Sequence, residues 1–209
     1  MAEFTFYTVP QTRGQMARWA LHEVAADYDQ VIFEFASRPD ELAQVNPMNK
    51  VPTLVHHSEA GDLVLTETPA IAHYLAETHP QKGLLPQGPE KAPYFRWLFF
   101  ASGPIEQAII CGVMNWQAPE ERAGMLGFGS VERALGAIAG WLANHDFVAG
   151  DRFTMADVYV GSQLGFGLQF GTIPEEPAIR AYVDRVHERV ACSEARAIDA
   201  KLKEDAANG

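Results

Sequence analysis

Residues 46–55 read NPMNKVPTLV. Two prolines and a polar turn are followed by an apolar run that reads as a strand. Proline has no N–H and is normally kept out of central strands. Pro52 therefore either opens an edge strand, or the backbone beside it serves something other than a sheet ladder. Downstream, TLVHH (53–57) and LVLT (63–66) read as two short strands joined by the turn SEAGD (58–62). PAIAHYLAETH (69–79) then has helical spacing. Upstream, FTFYT (4–8) is β-branched and aromatic, as strands are. Residues 12–25 repeat apolar side chains at Met16, Ala17, Ala20, Leu21 and Val24, a helical period. YDQVIFEF (28–35) reads as a second strand and 38–45 as a short helix. A βαβ unit followed by a hairpin and a helix makes a small mixed sheet covered by helices.

Residues 80–93, PQKGLLPQGPEKAP, carry four prolines and two glycines and form the clearest linker. Everything after it looks helical. YFRWLFFASGPIEQAIICGVMNW (94–116) is long and apolar, and Gly103-Pro104 should kink or break it. SVERALGAIAGWLANH (130–145) and ADVYVGSQLGFGLQF (156–170) are amphipathic or buried helices, and 178–203 alternates charged and apolar residues. The expected division is 1–80, a linker at 81–93, and an all-helical 94–209.

The 209 residues carry 27 acidic and 16 basic side chains, a formal net charge of -11. That argues against nucleic acid or an anionic membrane as partner, though not against a small anion in a locally positive pocket. No apolar run approaches the roughly 20 residues that span a bilayer. The start, MAEFTFYTVP, lacks the features of a signal peptide, so a cytoplasmic location is expected. Cys111 and Cys192 form no C-x-x-C pair and read as buried thiols.

Thr154-x-x-Asp157 is a capping box with Asp in place of the usual Glu, a structural feature with no chemistry assigned. TETPAI (66–71) is different. Pro69 suits the first helical position and makes Thr68 the N-cap. A helix N-terminus can hold a carboxylate, and Glu67 beside it can hold an ammonium. Together they fit the α-carbon end of an amino acid. If Val51-Pro52 is cis, the Val51 N–H and C=O can bind an extended peptide as an added strand. The two features point to a small peptide ligand. His56-His57 lacks a third metal ligand nearby and reads as a turn or strand end. Trp97, Phe99, Phe100, Trp116, Phe166 and Phe170 are expected mostly in the core, some lining an apolar pocket.

The order of elements, with NPMNKVPTL, TETPAIAHYLAE, the linker, the helical half and DRFTMADVYVG (151–161), resembles the cytosolic glutathione transferases over nearly the whole chain. The pattern N-P-x-x-x-V-P-x-L, then E-[ST]-x-A-I, then the capping box, is specific in combination. The resemblance implies a thioredoxin-like α/β domain that binds glutathione, an all-α domain that shapes a hydrophobic co-substrate site, and a homodimer. It implies that Val51, next to Pro52, pairs with the cysteinyl backbone of glutathione. Glu67 and Thr68 would hold the γ-glutamyl end, with Asn49 or Lys50 near the glycyl carboxylate.

Members of this family place a Tyr, Ser or Cys near the end of the first strand or the start of the first helix. Here that region reads YTVPQTRGQMARWAL (7–21). The tyrosine-type pattern puts its Tyr four residues before the Arg of Arg13-Gly14, where this chain has Val9, and Tyr7 is two residues too early. The cysteine position is not a Cys. A hydroxyl near a Pro and just before a basic residue fits Thr12, with Tyr7 and Thr8 as runners-up and Arg13 adding positive potential. The chain is thus nearer the bacterial Ser/Thr-type members than the Tyr-type.

The expected function is a detoxifying transferase that conjugates the glutathione thiolate to a small hydrophobic electrophile, with glutathione as co-substrate and no metal. A glutathione-dependent disulfide or peroxide reductase, or a non-enzymatic binding or regulatory protein of the same fold, are the rivals.

Overall fold

The computed structural model describes residues 2–208. The chain divides into two compact units, Met1–Gly83 with Arg189–Gly209, and Leu84–Glu188.

In the first unit, β1 (Phe4–Thr8) is followed by α1 (Gly14–Val24), β2 (Tyr28–Ile32), α2 (Asp40–Val45), the hairpin β3 (Thr53–Ser58) and β4 (Gly61–Leu65), and α3 (Thr68–Thr78). The four strands lie in the order β2-β1-β3-β4. β2 runs parallel to β1, and the other two pairings are antiparallel. Phe4, Phe6 and Thr8 of β1 are buried while Thr5 and Tyr7 are half-buried, the period of two that sends alternate side chains to opposite faces. The apolar face of α1 (Met16, Ala17, Ala20, Leu21, Val24) is buried. α1 closes at Ala25 in the left-handed conformation, φ 53°.

One alternative for Pro52 is excluded here, and one strand boundary changes. β3 lies inside the sheet between β1 and β4, so Pro52 does not open an edge strand. It stands one residue before the first ladder residue, Thr53, where its missing N–H costs the sheet nothing. The Val51–Pro52 bond is cis. The second strand ends at Ile32 instead of Phe35, because Ile32 faces Thr8, the last residue of β1. Beyond it, on the sheet's edge, the chain has no partner strand.

The second unit contains α4 (Lys91–Phe100), α5 (Glu106–Val113), α6 (Val131–Leu142), α7 (Met155–Gln169) and α8 (Pro177–His187). Gly103-Pro104 does not break the helix. A five-residue π turn, Ala101–Ile105, carries the chain from α4 into α5 and absorbs the proline's missing N–H. α7 is buried on nearly every face. Its first turn is held by Asp157, whose carboxylate accepts from the Thr154 N–H (2.8 Å), the Thr154 hydroxyl (2.9 Å), the Val148 N–H (2.8 Å) and the Tyr182 hydroxyl (3.0 Å). The capping box is thus a four-donor knot that ties α8 and the loop before α7 to the helix start. Among the described residues, no helix is long and apolar enough to cross a membrane.

The last helix, α9 (Val190–Asn208), belongs by its contacts to the first unit, whereas its composition places it with the helical half. Glu23 of α1 accepts a bidentate pair from Arg189 (2.6 Å to each oxygen), and Arg18 donates to Asp199 at 2.8 Å with both side chains fully buried.

Asp157→Ala should leave four buried donors without an acceptor and destabilise the protein by about 3–5 kcal/mol, read from the urea midpoint. A midpoint within error of wild type contradicts the role. Burial pushes the Asp157 carboxyl up to about 6, against hydrogen bonds that pull it down. The folded chain then keeps this proton longer than the unfolded one. This group's contribution to stability therefore falls as pH rises from about 4 to about 6 and is level above that.

Candidate functional site

The sheet register decides what meets at the site. Thr8 faces Ile32, Tyr7 faces Thr53 and Leu54 faces Leu65. The ends of β1, β2 and β4 and the start of β3 therefore share one end of the sheet. The segments 9–13, 33–39, 46–52 and 66–67 emerge there together. Extending the β3–β4 register by two residues sets Glu67 opposite Pro52. A cavity of about 190 Å³ opens among three of these segments, lined by Thr12, Arg13, Phe33, Phe35, Arg38, Asn49, Lys50 and Val51.

Of the residues singled out in the sequence, Thr12, Arg13, Asn49, Lys50 and Val51 line this cavity. Glu67 and Thr68 are not in its lining, although the register places them at the same end of the sheet. Phe33, Phe35 and Arg38 are additions that sequence reasoning missed. Phe33 and Phe35 carry strand propensity, and because the ladder stops at Ile32 they lie in a loop. Arg38 lies over the Phe35 ring at 5.5 Å and donates to the Asn49 carbonyl at 3.1 Å. Its one signal in the sequence is its place in the turn just before Pro39.

The turn 46–50 is pinned from within. The Asn46 amide donates to the Lys50 carbonyl and to the Thr53 hydroxyl, both at 3.0 Å, and its Oδ1 accepts from the Met48 N–H at 3.0 Å. The Thr53 hydroxyl donates to the Lys50 carbonyl at 2.9 Å. Asn49 stands in the left-handed region, φ 50°, and its buried Oδ1 has no hydrogen-bond partner among the described residues. Val51 is thus presented from a turn that other side chains hold in place.

α3 begins one residue earlier than the sequence indicates. Thr68 is its first residue and Glu67, not Thr68, is the N-cap, with its carbonyl accepting from the Ile71 N–H at 2.9 Å. Glu67 has φ 62°, a left-handed conformation that costs a non-glycine residue about 1–2 kcal/mol. Such strain concentrates at ligand sites. The Glu67 side chain is exposed and Thr68 is buried at the helix start.

The candidate hydroxyls separate clearly. The Thr12 hydroxyl donates to the Val9 carbonyl at 2.7 Å and accepts from the Gly14 N–H at 3.1 Å, at the mouth of α1. Thr8 is fully buried beneath Gly14. Tyr7 alternates to the other face of β1 and is not in the cavity lining.

Arg13, Arg38 and Lys50 give this cavity a positive lining on a chain of net charge -11. The α1 N-terminus adds the same sign. The arrangement suits an anionic ligand with a peptide backbone.

The other residues fall elsewhere. The Cys192 thiol is buried on α9, and burial pushes it up to about 11, so it is no thiolate at neutral pH. Cys111 is half-buried on α5. His56 and His57 lie in β3 and bond to the Tyr74 hydroxyl (2.7 Å) and to Asp62 (2.8 Å). Of the six aromatics expected mostly in the core, Trp97 is fully buried, whereas Phe99, Trp116 and Phe170 are more than half exposed.

A thioredoxin-like sheet with a cationic cavity at one end, followed by a helical unit, defines the class by its fold. Residues 2–77 match the family model of the glutathione S-transferase N-terminal domain, and 103–189 that of the C-terminal domain. The chain belongs to the glutathione S-transferase family. It is 30% identical to glutathione S-transferase 2 of Schizosaccharomyces pombe, over 76% of this chain and 73% of that one. It is 35% identical to probable maleylacetoacetate isomerase 2 of Drosophila melanogaster over 56% of this chain, a match that spans about half (51%) of that relative. A sphingomonad glutathione S-transferase solved in complex with glutathione superposes with a TM-score of 0.74 at 27% identity, over 94% of this chain and 98% of that one.

A Cβ at Gly14 would collide with the Thr8 hydroxyl. Gly14→Ala should therefore destabilise the fold by about 1–3 kcal/mol, the usual cost of overpacking. An unchanged urea midpoint would mean that α1 does not sit this close to β1.

Proposed function

We propose that this chain binds glutathione at the end of the sheet and conjugates its thiolate to a small hydrophobic electrophile, with a threonine hydroxyl as the thiol's partner in place of a tyrosine. The observation that carries the reading is the cationic cavity beside the Val51 backbone on a strongly acidic chain. Val51 offers its N–H and C=O to the cysteinyl unit. Lys50 and Asn49 face the glycyl carboxylate, with Arg38 bracing Asn49 through its carbonyl. Glu67 takes the γ-glutamyl ammonium and the start of α3 at Thr68 takes its carboxylate.

A thiol of pKa about 8.5 is mostly protonated at neutral pH, so the site must favour the thiolate. The N-terminus of α1 and the Arg13 charge do this through space. Thr12 does it by turning its O–H from the Val9 carbonyl to the sulfur, while still accepting from the Gly14 N–H. Its hydroxyl is a donor and not a base. The sulfur lone pair then forms the S–C bond, and the electrons of the broken bond depart with the leaving group.

A second reading is favoured by the likeness to a probable maleylacetoacetate isomerase. In it the thiolate adds to a substrate double bond and departs again, leaving glutathione unconsumed. Counting glutathione against product, with an aryl halide and with an unsaturated diacid, separates the two.

Glu67→Ala should weaken glutathione binding by about 1.5–3 kcal/mol, as for hydrogen bonds lost to a charged group, with little change in unfolding temperature. Unaltered affinity in titration calorimetry rejects the γ-glutamyl assignment.

Thr12→Ala and Thr12→Val should slow conjugation roughly 10–100-fold, about 1.4–2.7 kcal/mol of barrier, and raise the apparent pKa of the bound thiol while binding persists. An upward shift in Tyr7→Phe alone would return the chain to the tyrosine type. No shift in any of the three would assign the work to backbone N–H groups.

A further inference from the structure

The last helix reaches into the loop that carries Thr12. Asp199 is fully buried on α9, and its two carboxylate oxygens are divided. Oδ1 accepts from the Arg18 guanidinium at 2.8 Å, and Oδ2 accepts from the backbone N–H of Gln11 at 3.3 Å. Four residues on, the Lys203 ammonium donates to Gln11 Oε1 at 2.7 Å. Residues at i and i+4 share one helix face, so α9 grips Gln11 at once by its backbone and by its side chain. The grip offsets a backbone cost, because Gln11 stands at φ 56° in the left-handed region, which a non-glycine residue occupies only at an energetic penalty. Thr12 and Arg13 follow directly, and both line the cavity. Arg18 is fixed in turn by the Tyr28 hydroxyl (3.1 Å) and by Gln30 (2.7 Å) of β2. The carboxylate is therefore referenced to the sheet.

From this geometry we infer that Asp199 is a positioning residue for the thiol-activating loop. It holds the 9–13 turn in the conformation that aims Thr12 and Arg13 into the cavity, from a point 188 positions away in sequence. The inference rests on the glutathione reading for its catalytic consequence and not for its structural one. It also gives the C-terminal helix a function in the site beyond covering α1.

The same two helices provide a control. Arg189 and Glu23 also tie the α9 segment to α1, through a bidentate pair whose two bonds both run to the Glu23 carboxylate. Asp199→Asn keeps the side chain's shape. With its oxygen on Arg18, its new amide NH₂ faces the Gln11 N–H and cannot accept. Arg189→Ala removes the other tie.

Amide hydrogen exchange of the peptide spanning residues 9–13 should accelerate roughly tenfold in Asp199→Asn, about the worth of one hydrogen bond. In Arg189→Ala it should hold the wild-type rate. Asp199→Asn should also lower kcat by on the order of 10–100-fold, as a misplaced catalytic group does, with the apparent pKa of the bound thiol raised. In Arg189→Ala both should stay at the wild-type value. Lys203→Ala, at an exposed position, should move the exchange rate and the pKa in the same direction by less. Equal acceleration in Asp199→Asn and Arg189→Ala, or none in either, overturns the inference whatever the enzyme's activity. Selective acceleration with kcat and pKa unchanged overturns its catalytic part. If the wild type binds no glutathione, the functional reading falls, and the exchange rates alone still decide whether Asp199 holds the loop.

Discussion

Three hydrogen-bond ladders among four strands stop at one end of one small sheet. β1 ends at Thr8, β2 at Ile32 opposite it, β4 at Leu65, and β3 begins at Thr53. Backbone beyond those residues must find partners outside the sheet. The segments 9–13, 33–39, 46–52 and 66–67 are the result, and they supply the cavity lining and Glu67. Pro52 fits this frame. It sits where a ladder N–H is not required, and the residue before it, Val51, lines the cavity.

Loops freed from the sheet are useful only if something else fixes them. Asn46 and Thr53 tie the 46–50 turn to itself, and Arg38 braces it through the Asn49 carbonyl. Asp199 and Lys203 hold the 9–13 turn from a distant helix. Burying a pair such as Arg18–Asp199 is expensive in desolvation; Nε and Nη1 of the guanidinium are hydrogen-bonded, while its buried Nη2 has no partner among the described residues. A buried, oriented charge pair gives less in net stability than in uniqueness of placement. Asp157 does the same in the helical unit, where it converts a local helix cap into a joint between α7, α8 and the loop before them.

Much of the fold was legible because the signals were periodic. FTFYT reads as a strand and formed as one, and residues 12–25 have the spacing of an amphipathic helix, which formed over Gly14–Val24. NPMNKVPTLV and TETPAIAHYLAE located the two segments that bracket the sheet's end. The errors came where a neighbour decides. YDQVIFEF has strand propensity throughout but ends with its partner at Ile32. Gly103-Pro104 carries a break signal that packing overrode with a π turn. Glu67 displaced Thr68 as the N-cap by taking a left-handed conformation that no propensity favours. Trp116 and Phe170 read as core and are exposed.

The sequence by itself determined the order of elements, the fold class, the family and five residues of the cavity lining. Each of these depends on local pattern: the period of apolar side chains, the placement of proline, the chemistry of a helix start. It could not show that Arg38 would join the cavity, that Thr8 would be sealed under Gly14, or that Asp199 would reach the loop beside Thr12. Those facts depend on how the folded segments pack against one another, and in the last of them the residues are 188 positions apart. Only the folded chain sets such distances, because a buried charge has to find its partner in space, and spacing along the sequence does not name it.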